Sequence, residues 1–535
     1  MSPPKPKTRT AGAIGDALVL DYDLADLPSS QHRAGLSGLV LMCRWLERQP
    51  SDQARGTCVI ERLDARSLRL RVDEVGVGAL FDQVYAAAID ERSYPKPFKG
   101  KEPLYTKTRT ETNPKTGKSK EITEYYYGVV VPRGAFLADW EDDGKGPWTK
   151  LWRDMLWNIL RGVPATRAPF QARAEGAPST DGVKTFAQLG RPDAALDLPS
   201  TYYLGAQAKT AENVPFRDLA RHQFLLHFWP FVAQIYVPTE IDNEGKRSFR
   251  GYAVAVPDVA DLETFCDELP PAMRGRSAEI SAYVPAQAVV DLAVESALDF
   301  MGRLSERLRS GQQHRIDLND LVYGVDVFHV AKDGNNVRVL GNDRVDVEET
   351  MIDRYRQVSS AYGDSRFRRT RLLNLFAGRP WYAGFDRVFA TTPWKQTIAA
   401  PWFGRDVRTA FDKENPAPMT TEDSAPQSLE TLLYQIVRRY LAARMSSKHQ
   451  LDWKQVEGQA HAEEDYRKKK KKLAKDAFLA IRSRTGEDFV DYFAGSLMSE
   501  PQRLDEARYA ALAQALTHKP GTVRTLTLLA LSAQG

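Results

Sequence analysis

The residues in this sequence best suited to chemistry are its clustered cations, and the chemistry they suit is holding phosphate. From Lys96 to Gly128 stand eight basic residues (Lys96, Lys99, Lys101, Lys107, Arg109, Lys115, Lys118 and Lys120) against four Glu. That local excess equals the formal net charge of +4 carried by all 535 residues. Any nucleic-acid contact must therefore come from patches rather than from a global field. Asn113 opens the turn cluster inside this stretch, Asn113-Pro114-Lys115-Thr116-Gly117. Farther on, Arg366, Arg368, Arg369 and Arg371 fall within six residues. They repel one another unless anions or acidic groups face them, and a phosphate partner and the protein's own carboxylates are both answers. Arg467–Lys472 reads RKKKKK, with Lys469 and Lys470 in it and Arg482 and Arg484 following. Such a run is either a solvated face or a nucleic-acid contact. His32 and Arg33 sit in the first turn of a predicted helix, where positive charge opposes the helix dipole. Stability alone does not favour them there, so they either point into water or meet a ligand.

Catalytic patterns are absent from the sequence. Gly117-Lys118-Ser119 resembles half of a phosphate-binding loop, but Thr112 stands where the first glycine belongs and a strand follows instead of a helix. His222 and His227 are five apart, off a common helical face, and no HExxH or GxSxG occurs. Asp317, Asp320, Asp326, Asp343, Asp346, Glu348 and Glu349 could in principle feed a two-metal nuclease site. Their commoner role is to cap turns and helices. The reading is of no cofactor and no metal.

The elements that position these residues are legible in outline. Leu104–Glu111 and Ile122–Val131 alternate as strands around the Asn113 turn, which makes a basic two-stranded ribbon. Two arms of ~8 residues project roughly 25–30 Å, and a two-stranded ribbon fits the DNA major groove. A solvated hairpin kept soluble by lysine is the plainer alternative. Ahead of it, Ala17–Leu24 reads as a strand and Ser29 or Ser30 caps a helix to about Gln49. Gly35 and Gly38 cost that helix roughly 1 kcal/mol each, which suggests a closely packed backbone or ligand. Thr57–Leu63 and Ser67–Glu74 read as paired strands, Ala79–Glu91 as a helix, and Trp148–Leu160 as a helix whose tryptophans suit a core. Gly162–Pro199 reads as a long irregular connection, and Phe216–Trp229 as a helix. Hairpins follow around Asp242–Lys246 and Asp333–Asn336, the latter between Val322–Val330 and Val337–Leu340, with helices over Val259–Leu269 and Ala286–Leu308. Ser365–Phe376 reads as a basic amphipathic helix. From Ser428 only helices are expected.

The fold class is therefore α+β: a mixed hairpin and helix N-terminal and central region, followed by an all-α C-terminal helical bundle. The expected division is a disordered tail over 1–15, an α+β domain with the basic ribbon over 16–161 and a central α+β region over 162–412. A linker over 413–427 and the bundle over 428–535 complete it. Composition is ordinary for a globular protein, with 42% apolar and 27% charged residues. Three cysteines make neither a disulfide framework nor a metal knuckle. With no signal-peptide pattern and no long apolar run, the expectation is a cytoplasmic protein without membrane contact.

Two stretches carry a family likeness. Asp26–Trp45, DLPSSQHRAGLSGLVLMCRW, and Ala474–Ser499, AKDAFLAIRSRTGEDFVDYFAGSLMS, resemble the terminal signatures of the large subunit of type I CRISPR interference (Cascade) complexes, of the MYXAN subtype in particular. The resemblance implies a non-enzymatic role in antiviral defence. Its partners would be a guide RNA ribonucleoprotein, double-stranded target DNA, the backbone and small subunits, and a helicase-nuclease. The subunit would bind target DNA, read a protospacer-adjacent motif and aid duplex opening. The family also implies that a small subunit resembling the terminal bundle can start internally, for which Met419 is positioned. A metal-dependent nuclease and a basic structural interaction protein are the competing readings.

Overall fold

In the computed structural model the described residues are 17–534, apart from 50–55, 113–118, 135–136, 138–139, 142–143, 162–163, 178–179, 199–201, 206–215, 243, 311–315, 335, 415–427 and 500–503. The expected tail, the ribbon turn with Asn113, Lys115 and Lys118, and Met419 lie outside them. The chain divides into two units, one of residues 1–238 and 249–347, the other of residues 239–248 and 348–535. Both the expected boundary at 162 and the ribbon fall inside the first unit, and helices well before 428 join the bundle in the second.

Three sheets organise the first unit. Leu18–Asp23, Ser67–Val72 and Cys58–Leu63 form one, with Ser67–Val72 central. Leu68, Leu70 and Val72 are buried while Arg69 and Arg71 are exposed, the period-2 signature of a half-buried strand. The largest sheet runs in the order Arg247–Phe249, Gln234–Ile241, Tyr252–Val259, Val322–Asp333, Asn336–Asp346, with Val289–Val290 alongside Gln234–Ile241. Ala253–Val256 is buried without alternation, because helices Ser30–Arg48 and Glu295–Ser310 both pack on this strand. Gly35 and Gly38 act as expected: a methyl group there would lie 2.9 Å from the Leu225 carbonyl carbon and 2.8 Å from that of Phe228.

The third sheet corrects the ribbon. Its order is Ala87–Tyr94, Ser119–Pro132, Tyr105–Thr112, so it has three strands, not two. The helix expected over Ala79–Glu91 is instead Glu74–Val84, capped by Asp73, whose carboxylate accepts from Gly76 N–H. Ala87–Tyr94 is a largely solvated strand, and its sequence conceals it because no apolar alternation marks it. The region expected to be irregular holds helices Pro164–Ala174 and Asp181–Leu189. Pro164 starts the first of these helices and Pro169 lies inside it, so composition alone misleads. Phe216–Trp229 contains only a short helix, Ala220–Leu225, after a strand at Arg217–Leu219.

The second unit is helical. Glu349–Ala361, Ser365–Phe376, Phe385–Thr391 and Pro401–Glu414 precede Leu429–His449, Ala460–Arg482, Gly486–Tyr492, Glu506–His518 and Pro520–Ser532. Leu526–Ser532 is buried on every side, which marks the last helix as the centre of the unit. Phe385–Thr391 and Pro401–Glu414 pack against it. Lys413 and Glu414, expected in the linker, end a helix.

Candidate nucleic-acid interface

The ribbon rises from the long strand Ser119–Pro132, which pairs with both neighbours. Tyr105, Lys107 and Arg109 share one face of the outer strand, and Thr106, Thr108 and Thr110 share the other. At the base, the Tyr105 and Tyr126 rings stack at 4.5 Å. The Lys107 ammonium lies 4.9 Å from the Tyr126 centroid. Tyr105 donates to Glu91, and that bond, before burial, raises the phenol's pKa to about 12. Arg109 is 3.4 Å from Glu124. The charged face is thus partly self-compensated. Lys96 and Lys99 are exposed and form no ion pair among the described residues, while Lys101 Nζ donates to the Gly128 carbonyl at 3.4 Å. Lys120 is placed in the strand opposite Glu111.

His32 and Arg33 do not point into water. His32 is 3% exposed, with Ser29 Oγ 2.7 Å from Nδ1 and Asp218 Oδ2 2.8 Å from Nε2. His222 Nδ1 lies 3.1 Å from the other oxygen of the same carboxylate. Burial pushes the Asp218 carboxyl up, but the hydrogen bonds from His222 and His32 outweigh it and hold it well below the ordinary range. Arg33 donates to Asp258 at 2.5 Å. Two of the carboxylates considered for a metal site, Asp326 and Asp346, face a cation instead. Arg344 reaches Asp258 at 2.9 Å, Asp346 at 2.8 Å and Asp326 at 3.4 Å, and Ser30 donates to Asp326 at 2.5 Å. Among the described residues no group of three or more His, Cys, Asp or Glu could hold a metal ion.

In the second unit, Ser365–Phe376 forms over the expected residues, but its charge is distributed otherwise. Arg371 is buried and donates to Glu414, whereas Leu373 is exposed. The helix therefore does not separate a basic face from an apolar one. Asp364 caps it through Arg366 and Phe367 N–H, both at 3.0 Å. Arg366 and Arg369 line a cleft of about 760 Å³ with Arg379 and Arg387. Glu240, Ile241, Asp242 and Ser248 line it as well. Arg369 donates to the Thr239 carbonyl at 3.2 Å and Arg366 to that of Asp242 at 3.4 Å. Arg368 is half-buried. Arg379 and Arg387 carry no signal in the sequence, since each stands alone there and only the fold brings it to the others.

Residues 57–314 match the family model for the type I-B CRISPR Cas8b N-terminal domain. Residues 322–534 match that for the type I-B CRISPR Cas8b C-terminal domain. The chain belongs to the large subunits of type I CRISPR interference complexes. No curated protein matches it. Family membership makes it a component of a multi-subunit effector assembly.

The lysine run of this large subunit lies on helix Ala460–Arg482. Lys469 pairs with Asp465 at 2.7 Å. Lys470 is half-buried and donates to Gln534 at 2.8 Å, and burial, with Arg438 and Arg408 nearby, lowers its pKa to about 8. Arg482 donates to the Thr392 carbonyl at 2.8 Å, and Arg484 to Asp488 at 2.6 Å. Of the bundle cations expected from sequence to hold nucleic acid, these four serve internal contacts. Lys468, Lys471 and Lys472 are exposed. No helix among the described residues is long and apolar enough to cross a membrane.

Proposed function

We propose that this large subunit is non-enzymatic and contacts double-stranded target DNA through the ribbon, reading the protospacer-adjacent motif and aiding duplex opening. The observation that carries the proposal is the paired run of Tyr105–Thr112 and Ser119–Pro132. Lys115 and Lys118 stand in the sequence between these strands, and Lys120 stands on the second. Eight residues per arm give the pair roughly 25 Å of reach. Threonines on one face and cations on the other suit sugar-phosphate contact on either side of a groove. In this reading the guide RNA ribonucleoprotein, the backbone and small subunits and a helicase-nuclease dock elsewhere on the chain. The MYXAN likeness of Asp26–Trp45 and Ala474–Ser499 is the subtype we favour. The nuclease alternative is disfavoured by Arg344, which already occupies Asp258, Asp326 and Asp346.

The test is the salt dependence of duplex binding by the full chain. With Lys115, Lys118 and Lys120 all changed to Gln, the log–log slope against salt should fall by about 0.9 for each phosphate that is no longer neutralised. An unchanged slope removes the ribbon from the interface.

A further inference from the structure

The cleft in the second unit has a chemistry of its own. Four guanidinium groups line it, from Arg366, Arg369, Arg379 and Arg387. The first two are fixed by the carbonyls they bond. The other two are exposed and pair with no carboxylate among the described residues. Between them lies apolar surface from Leu373, Val388 and Ile241. Leu373 is 51% exposed, an outcome that helix burial does not favour and a flat apolar ligand face would exploit. Ser248, Thr391 and Thr392 add hydroxyls at the rim.

The walls are held in place. Asn374 Nδ2 donates to the Trp381 carbonyl at 2.9 Å and to that of Ala383 at 2.8 Å, which fixes the loop between Arg379 and Arg387. Gln396 donates to the Glu244 carbonyl at 2.8 Å, and the Asp242 carboxylate accepts from Glu244 and Lys246 N–H at 3.0 and 2.8 Å. Gly245, at φ +89°, lies so close to Arg366 that a methyl group would meet its guanidinium at 2.9 Å. The cleft is thus preformed, and its size is that of a small-ligand site. A concave site of this size does not admit a duplex. Guanidinium groups bind phosphate bidentately, and apolar surface beside them suits the face of an unpaired base.

We propose that this cleft takes one unpaired nucleotide of a single strand, with its phosphodiester on Arg379 and Arg387 and its base against Leu373 and Val388. The proposal deepens the nucleic-acid reading above and rests on it, but it concerns a different unit and a different strand state. DNA and RNA single strands share the required chemistry.

The test uses the full chain with labelled ten-nucleotide dT and rU strands and a duplex, followed by fluorescence anisotropy across salt. Changing Arg379 and Arg387 to Gln should weaken single-strand binding at least tenfold and lower its salt slope by about 0.7, the single-strand value for the one phosphodiester they hold. Duplex binding should stay unchanged. Leu373→Asn should weaken single-strand binding without changing the slope. Comparing dT with rU assigns the strand. Photocrosslinking from 4-thiouridine should label a peptide within residues 366–392. Unchanged single-strand affinity in the double variant overturns the proposal, as does an equal loss on duplex, a crosslink confined to other peptides, or competition by uridine monophosphate at the oligomer's own affinity. Loss of duplex binding in the ribbon variant tests the other reading separately.

Discussion

Replacing one hydrogen by a methyl group should have opposite consequences at glycines two residues apart. In helix Glu74–Val84, a methyl at Gly76 would lie 2.8 Å from the Thr57 carbonyl carbon and closer still to its oxygen, while at Gly78 it would meet nothing within 4 Å. Gly38 matches Gly76, with the Phe228 carbonyl carbon at 2.8 Å. Gly→Ala in a free helix position gains roughly 1 kcal/mol. An ordinary carbon–carbon contact needs about 3.5–4.0 Å, so at Gly38 and Gly76 the helix and the facing backbone must part by nearly an ångström. Overpacking of that kind costs about 1–3 kcal/mol, and a carbonyl fixed in its chain cannot rotate away as a side chain can. The clash therefore outweighs the propensity gain. G38A and G76A should each lose about 1–2 kcal/mol, and G78A should gain roughly 1. Hydrogen exchange read by mass spectrometry reports each unit locally. Amides of residues 30–48 in G38A should exchange roughly tenfold faster, since a factor of ten is about 1.4 kcal/mol. If G38A protects that helix as well as the wild type, or if G76A and G78A shift alike, the backbone approach that explains these glycines is wrong.

Acid should weaken the first unit through His227. Burial, and then Arg161, lowers its pKa from 6.5 to about 3. The Tyr85 hydroxyl, held protonated by its own burial, hydrogen-bonds with Nδ1 at 2.5 Å. The folded state prefers the neutral ring, so this stability is complete above pH 6.5 and declines as pH falls toward 3. The loss by pH 5 is on the order of 2 kcal/mol. Urea midpoints at pH 7.5 and 5.0 should separate less in H227Q than in the wild type, and equal separations would remove His227 from the account. In the second unit, Glu414→Ala strands the buried Arg371 guanidinium and should cost roughly 3 kcal/mol. R371M/E414A should recover most of that loss, and a double variant as unstable as the single one argues against the pair.

The features legible in the sequence are those that depend on neighbours along the chain. Ser365–Phe376 is legible because a capping Asp364 and an unbroken run of helix formers suffice to define it. The ribbon's two long strands are legible because alternation and a turn cluster are local. Its third strand is not, since Ala87–Tyr94 is specified by pairing with Tyr125–Pro132 far along the chain, not by its own pattern. The same limit governs the charges. Sequence counts cations, but only the fold decides which have an anion in reach. Arg371 finds Glu414, Lys469 finds Asp465 and Arg33 finds Asp258, so a place in a basic cluster does not by itself leave a charge unpaired. Isolated Arg379 and Arg387 keep their charge available because neither forms an ion pair among the described residues. For a subunit of a nucleic-acid-guided assembly, unpaired charge at a concave, braced position is a sharper sign of a phosphate site than charge density along the chain. A cation already satisfied by its own fold must break that bond before it can hold a phosphate, and the exchange returns little net free energy.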